Sequence, residues 1–336
     1  MPPAELDEVL TNLGQREAIL EGESPDVSIM PVAGDADLVT ISSTDFFSPI
    51  SLDPYLQGKI AAANTLSDLY AAGCAEVSSM LMILASSTKM DPNHRRIVTS
   101  QMVAGFRDAC AQAGAKVTGG QSVMNPWPLL GGVAISTVPR ASLVCSTKIE
   151  PGDVLVLTKP LGTQITANLQ IWMLSERTWA DTEKSIDQET ATQAVRQAEL
   201  SMSSLNRDAA RLMKKYGAHG ATDITGFGFM GHASNLAGVQ ERGVNLVLER
   251  APIIRGMAAL DNNAFGLLEG RSAETSGGLL IGFPSDEAAG KFLEEYRKSP
   301  DNPKGTWGWR VGHVTEGQKQ AHWAGRVKAA PEVIEV

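Results

Sequence analysis

The spacing of hydrophobic and polar positions along the chain changes repeatedly between a strand period and a helix period. Leu38-Val39-Thr40-Ile41-Ser42-Ser43-Thr44 is rich in β-branched residues and predicts a strand that delivers Asp45 at its carboxyl end. Asp53-Pro54 then reads as an N-cap followed by proline at the first helical position, opening an alanine-rich helix from Tyr55 to Ala72 that stops at Gly73. Val77 to Leu84 predicts a second strand. From His94 onward, Val98, Met102, Phe106 and Cys110 recur every fourth position, forming one apolar stripe of a helix that ends at Gly114. Short strands are predicted at Lys116 to Thr118, at Leu129 to Val138 with an interruption at Gly131-Gly132, and at Val154 to Thr158.

The polar turn Lys148-Ile149-Glu150-Pro151-Gly152-Asp153 predicts a boundary between a domain of residues 1–150 and a domain of residues 151–336. Beyond it, Val195, Ala198, Met202, Leu205, Ala209 and Leu212 alternate in steps of three and four, which predicts one long helix closing at Gly217. A glycine-rich loop carrying Asp223 follows. After it come a helix near Met230 to Leu236, a strand Val244 to Leu248, a helix Asp286 to Lys298 and a strand Trp307 to Val314. Helices and strands alternate in both halves, which favours two α/β or α+β domains over a bundle or a sandwich. No internal repeat of fixed period is present.

Composition narrows the function classes. The length of 336 residues suits about two domains, and 43% hydrophobic residues are enough for sizeable cores. Twenty-nine basic against 38 acidic residues leave a net charge of −9, which argues against a nucleic-acid partner held by phosphate contacts. Cys74, Cys110 and Cys145 form no paired framework. Together with an N-terminus lacking a signal-peptide pattern and the absence of any long apolar run, this predicts a cytoplasmic protein without membrane or nucleic-acid partners.

The histidines show no metal-ligand spacing, so the acids carry the chemistry. Asp45 closes a strand, Asp223 sits in Ala221-Thr222-Asp223-Ile224-Thr225-Gly226-Phe227-Gly228, and Asn64 and Asp68 lie four apart, sharing one helix face. Hard oxygen ligands of this kind suit Mg²⁺ bound to phosphates. An isolated strand-end aspartate is more often a turn or capping residue, but Asn64 and Asp68 sit among Ala61, Ala62, Ala63, Leu66 and Leu69, where a polar pair needs partners. Thr118-Gly119-Gly120-Gln121-Ser122 and Thr275-Ser276-Gly277-Gly278 are glycine clusters beside strands, suited either to phosphate approach or to simple turns. Gly34-Asp35-Ala36-Asp37 reads as a hairpin turn.

These blocks, in this order, resemble the selenophosphate synthetase (selenide, water dikinase) family. The resemblance is carried by Ser43-Thr44-Asp45-Phe46-Phe47-Ser48-Pro49-Ile50, by Ile60-Ala61-Ala62-Ala63-Asn64-Thr65-Leu66-Ser67-Asp68-Leu69-Tyr70-Ala71 and by Gly119-Gly120-Gln121-Ser122 with Asn125-Pro126-Trp127. Leu157-Thr158-Lys159-Pro160-Leu161-Gly162-Thr163, the Asp223 block and Glu274-Thr275-Ser276-Gly277-Gly278-Leu279-Leu280 extend it over nearly the whole chain. The Gly-Gly-Gln-Ser and Asn-Pro-Trp segments are closer to the eukaryotic members.

The resemblance implies a two-domain, aminoimidazole-ribonucleotide-synthetase-like α/β and α+β fold, with the N-terminal domain forming a β-barrel in a homodimer and a C-terminal α+β domain behind it. It implies the conversion of selenide, ATP and water to selenophosphate, AMP and phosphate for selenocysteine synthesis, with ATP and Mg²⁺, a monovalent ion such as K⁺, and a selenide-delivering protein as companions. It places metal-binding acids at Asp26, Asp45, Asp68 and Asp223, with Asn64 as a neighbour, and ATP contacts at Gly119, Gly120, Gln121 and Ser122 together with Asp45 and Asp68. The surroundings of Asp26 depart from the family's usual glycine-rich stretch. The family's N-terminal Cys or selenocysteine and following Lys have no counterpart here, because Met1-Pro2-Pro3-Ala4-Glu5-Leu6-Asp7-Glu8-Val9-Leu10 resembles the stretch directly after that Lys. The expectation is therefore a chain trimmed of its catalytic segment and impaired, and no catalytic residue is assigned. The alternatives are a catalytically silent ATP-binding paralogue acting as a regulatory or partner-binding subunit, and another kinase or ligase of the same fold, such as a thiamine-monophosphate kinase.

Overall fold

The computed structural model describes residues 26–262, 264–324 and 331–336, so the N-terminal stretch on which the trimmed-chain expectation rests lies outside the described residues. Strands β1 (Ser28–Val32), β2 (Asp35–Phe47), β3 (Ser79–Ser87), β4 (Lys116–Asn125) and β5 (Leu129–Pro139) form one sheet in the order β1-β2-β5-β3-β4. The expected hairpin joins β1 to β2, with Val32 paired to Asp35 and Gly34 at φ 86°. Helix α1 (Pro54–Ala71) begins as its sequence dictates: the Asp53 carboxylate accepts the N–H groups of Tyr55 and Leu56, and proline opens the first turn. Helix α2 (Pro92–Ala113) is capped in the same way by Asp91 and ends on Gly114 in the left-handed region.

The second sheet runs β12-β8-β11-β6-β10-β7, built from β6 (Val154–Leu157), β7 (Gly220–Asp223), β8 (Val244–Leu248), β10 (Leu279–Phe283), β11 (Trp309–Glu316) and β12 (Gln320–Trp323). A separate parallel pair joins β9 (Arg250–Ile253) to β13 (Glu332–Glu335). Helices α3 (Thr163–Trp172), α4 (Glu176–Thr182), α5 (Gln188–Ser203), α6 (Arg207–Lys215), α7 (Gly228–Gly238) and α8 (Asp286–Tyr296) pack around it. Both faces of this sheet are covered, and the strand period shows it. Leu279, Ile281 and Phe283 enter a core shared with α1, α2 and α6, while Leu280 enters a second core with Leu155, Leu157, Phe229 and Leu246. Helix α1 is thus sandwiched between the two sheets, with Ile60, Leu66, Leu69 and Tyr70 fully buried.

The structure departs from the sequence expectations in three places. The single helix expected across Val195 to Leu212 is two, because Ser204 is extended (ψ 141°) and the chain turns through Leu205 and Asn206 before α6 begins. The turn is held from outside: the Lys159 Nζ donates to the Ser204 carbonyl at 2.7 Å, and the Asn206 amide donates to Ser67 and Gly277. Gly119-Gly120 is not a loop after a short strand but part of β4, which continues to Asn125. Gly120 lies at φ 148°, and a Cβ there would sit 2.0 Å from the Met82 carbonyl oxygen, so glycine serves close strand contact beside the bulge at Met80/Leu81. Asp45 lies two residues inside β2 rather than at its end, and Asp223 is the last residue of β7 rather than a loop residue.

Candidate metal and nucleotide site

Alternation along β2 points Ile41, Ser43 and Asp45 to the side where α1 packs. The Ser43 hydroxyl donates to Oδ2 of Asp68, in the last turn of α1. Asp223 arrives from the other sheet, at the end of β7, and its neighbour Thr222 donates its hydroxyl to Asp26 Oδ2 at 3.0 Å. Four separate segments thus bring Asp26, Asp45, Asp68 and Asp223 within mutual electrostatic range. The first three carboxyls show it. Burial, then the Asp223 charge, pushes Asp26 up to about 6 and Asp45 up to about 7. Asp68 is raised well above the usual carboxylate range by burial, then by Asp223 and Asp45. Burial also raises Asp223.

No ion pair among the described residues involves any of the four. Both oxygens of the Asp223 carboxylate are buried and meet no hydrogen-bond donor among the described residues. A buried carboxylate in that condition costs several kcal/mol unless a proton or cation compensates it. The donor set is all hard oxygen, which fits a divalent cation such as Mg²⁺. Among the described residues no three acidic, histidine or cysteine side chains already converge as a closed ligand cage. A cation that keeps water and shares phosphate oxygens needs no such cage, since Mg²⁺ is commonly held by one or two carboxylates plus substrate.

The remaining sequence candidates fall elsewhere. Asn64 Oδ1 accepts the Ser276 N–H at 2.7 Å, so this side chain ties α1 to the 275–278 turn. Gly119, Gly120, Gln121 and Ser122 line the exposed edge of the first sheet, where β4 has no partner strand on its outer side among the described residues. Cys74 and Cys110 are buried thiols pushed up to about 11 and about 12 chiefly by burial, and Cys145 is exposed. Sequence reasoning missed three groups. His232 is buried beside Asp26, accepts the Phe227 N–H on Nε2 and is pushed down to about 4 by burial. Lys159 is completely buried, and Glu274 caps the start of α3 through Gly162 and Thr163. Only the position of Lys159 and Glu274 inside blocks rich in Thr, Gly and Ser hinted at them.

Among the described residues no helix is long and apolar enough to cross a membrane. Profiles of the AIR synthase related protein N-terminal and C-terminal domains match residues 26–138 and 150–324. Thiamine monophosphate kinase from Aquifex aeolicus superposes with a TM-score of 0.67 at 18% identity, covering 98% of this chain and 100% of that one. The hydrogenase maturation protein HypE in complex with ATP superposes at 0.65 with 17% identity, covering 94% and 90%. These likenesses establish the aminoimidazole-ribonucleotide-synthetase-like fold expected from the sequence. Sequence relatives are nearer. Selenide, water dikinase 2 of Mus musculus is 46% identical over 89% of this chain, which spans 65% of that protein's length. Selenide, water dikinase 3 of Danio rerio is 45% identical over 89% of the chain and 69% of its own length. The Leishmania major selenide, water dikinase is 44% identical over 98% of the chain and 85% of its own length. With both domain profiles matched and this identity sustained across most of a relative's length, the chain belongs to the selenide, water dikinase family.

Proposed function

We propose that this protein makes selenophosphate from selenide, ATP and water, releasing AMP and phosphate, and that Asp26, Asp45, Asp68 and Asp223 hold the divalent cations that bind the triphosphate. The observation that carries this reading is Asp223: a buried carboxylate without a donor, facing three other acids, in a protein of net charge −9. A triphosphate approaches such a surface only with cations between the two. When bound, Mg²⁺ would neutralise phosphate charge and fix its geometry. The chain's own residues do the rest: Ser43 orients Asp68, Thr222 orients Asp26, and β2 and α1 fix the spacing of Asp45 and Asp68. Gly119 to Ser122 contact nucleotide from the β4 edge, in a homodimer formed through that edge, with residues 1–150 and 151–336 as the two domains. K⁺ and a selenide donor belong to the same proposal.

The test is calorimetry of ATP binding with and without Mg²⁺, with AMP and phosphate release followed with and without selenide. Tight binding only with Mg²⁺, lost in Asp68→Ala while the thermal melt persists, is the expected result. Unchanged nucleotide affinity in that variant would remove the metal assignment.

A further inference from the structure

Lys159 is the least expected charge in the molecule. It follows β6, has no surface in contact with solvent and makes no direct ion pair among the described residues. Two of its three N–H donors end on backbone carbonyls: Ser204, at the break between α5 and α6, and Ser276, at 2.7 and 2.9 Å. Burying an ammonium costs several kcal/mol, so the contacts it makes must matter to the surrounding structure.

Those contacts converge on the turn 275–278. The Ser276 N–H is taken by Asn64 of α1, and the Gly277 carbonyl accepts from the Asn206 amide, which also donates to Ser67 of α1. The Gly278 carbonyl accepts the N–H of Ile224, the residue after Asp223. The turn therefore bridges the helix that carries Asp68 and the strand that carries Asp223. It fits so closely that a Cβ on Gly277 would lie 2.2 Å from the Ile224 carbonyl oxygen and one on Gly278 would lie 2.3 Å from the backbone nitrogen of Lys159. Ser276 is held at φ 47°, a conformation a serine keeps only when its surroundings impose it. The glycine pair thus works as a spacer between α1 and β7, and not as a phosphate cradle.

We propose that Lys159 is a positioning residue for cation binding: by gripping Ser204 and Ser276 at once, it sets the separation of Asp68 on α1 and Asp223 on β7. This rests on the metal reading of those acids and adds to it a residue that touches neither metal nor nucleotide. Charge and geometry make opposite demands here. An ammonium repels an incoming cation, so its removal by charge alone would tighten binding. Loss of the grip leaves two buried carbonyls without donors and lets the turn shift, which loosens the acid pair.

The experiment measures Mn²⁺ affinity by electron paramagnetic resonance on the folded protein, in wild type, Lys159→Met, Asn206→Ala and Asp223→Asn, with thermal melts alongside. Lys159→Met weakens Mn²⁺ binding by about tenfold, and Asn206→Ala, which frees the same turn without removing a charge, weakens it by about threefold. A purely structural role would lower the melt and leave the affinity of the folded protein unchanged. Unchanged or tighter binding in Lys159→Met, with Asp223→Asn weakened, overturns the proposal and leaves the metal reading intact. Should Lys159→Met not fold, Asn206→Ala decides: wild-type affinity overturns the proposal and weaker affinity supports it. Wild-type affinity in Asp223→Asn overturns the metal reading, and this proposal with it.

Discussion

Asp223 and Glu274 are both carboxylates buried in the C-terminal half, yet they are treated in opposite ways. Glu274 is fully provided for: one oxygen accepts the Gly162 N–H at 2.7 Å, and the other accepts the N–H of Thr163 at 2.9 Å and its hydroxyl. These donors open α3, whose own N-cap residue is glycine and offers no side chain, so Glu274 caps a helix from a hundred residues away and sits at its positive end. Asp223 has no donor within hydrogen-bond distance of either oxygen among the described residues, three acids for company, and the buried Lys159 ammonium near it but not in contact. Burial alone therefore does not mark a site. A buried acid with a complete set of donors holds the fold together, and one without them is left for a ligand to complete.

The strongest test of this contrast is Glu274→Ala, which strands three buried donors and should cost about 3–5 kcal/mol in urea unfolding, with the Mg²⁺-dependent ATP affinity of the folded protein unchanged. A loss of affinity at intact stability would move Glu274 to the ligand side of the comparison. The opposite signature is expected for Asp223→Asn in the presence of a chelator, where relief of repulsion should raise stability by about 1 kcal/mol. A fall in stability would place Asp223 with Glu274.

The smallest effect is on pH. Burial lifts Glu274 from the ordinary 4.5 to about 7, so the folded state holds this proton more tightly than the unfolded chain does. Its contribution to stability is therefore greatest at acid pH, declines between about 4.5 and about 7, and is level above that. Asp26 and Asp45 act with the same sign, declining from the ordinary 3.8 up to about 6 and about 7. Melting temperatures across this window should fall with rising pH. Saturating Mg²⁺ should flatten the share due to the aspartates, and Glu274→Gln only the share due to Glu274. A slope that Mg²⁺ leaves untouched would separate the aspartates from cation binding.

Local rules reached some parts of this molecule and not others. The start of α1 was written in its Asp-Pro pair, and the strand carrying Asp45 in its β-branched run, because capping and strand preference depend on neighbours in sequence; the same pair at Asp91-Pro92 opens α2 two residues before the His94 start read from its apolar stripe. The pairing of Asn64 with Asp68 was visible as a polar face among alanines, although the structure gives the asparagine to Ser276. The break at Ser204 was invisible, since the apolar rhythm from Met202 to Leu205 and Ala209 continues through it and its cause lies 45 residues away at Lys159. Glycines 119 and 120 misled for a similar reason: a pair that usually marks a turn here lies within a strand, where Gly120 permits contact with Met82 on the adjoining strand. Strands β12 and β13 are short and pair in parallel with distant partners, which leaves little trace in local composition.

The packing of α1 against α2 extends the reach of the site in an unexpected direction. A Cβ on Gly58 would lie 2.1 Å from the Met102 carbonyl oxygen, and one on Gly105 would lie 1.9 Å from that of Tyr55, so the two backbones touch with no side chain between them. The helix that presents Asp68 is thus seated by the absence of two methyl groups, more than two turns from the carboxylate. Substitutions on the outward face of α2 leave this contact untouched, but a single carbon at either glycine would have to displace α1 as a rigid body and carry the acid with it.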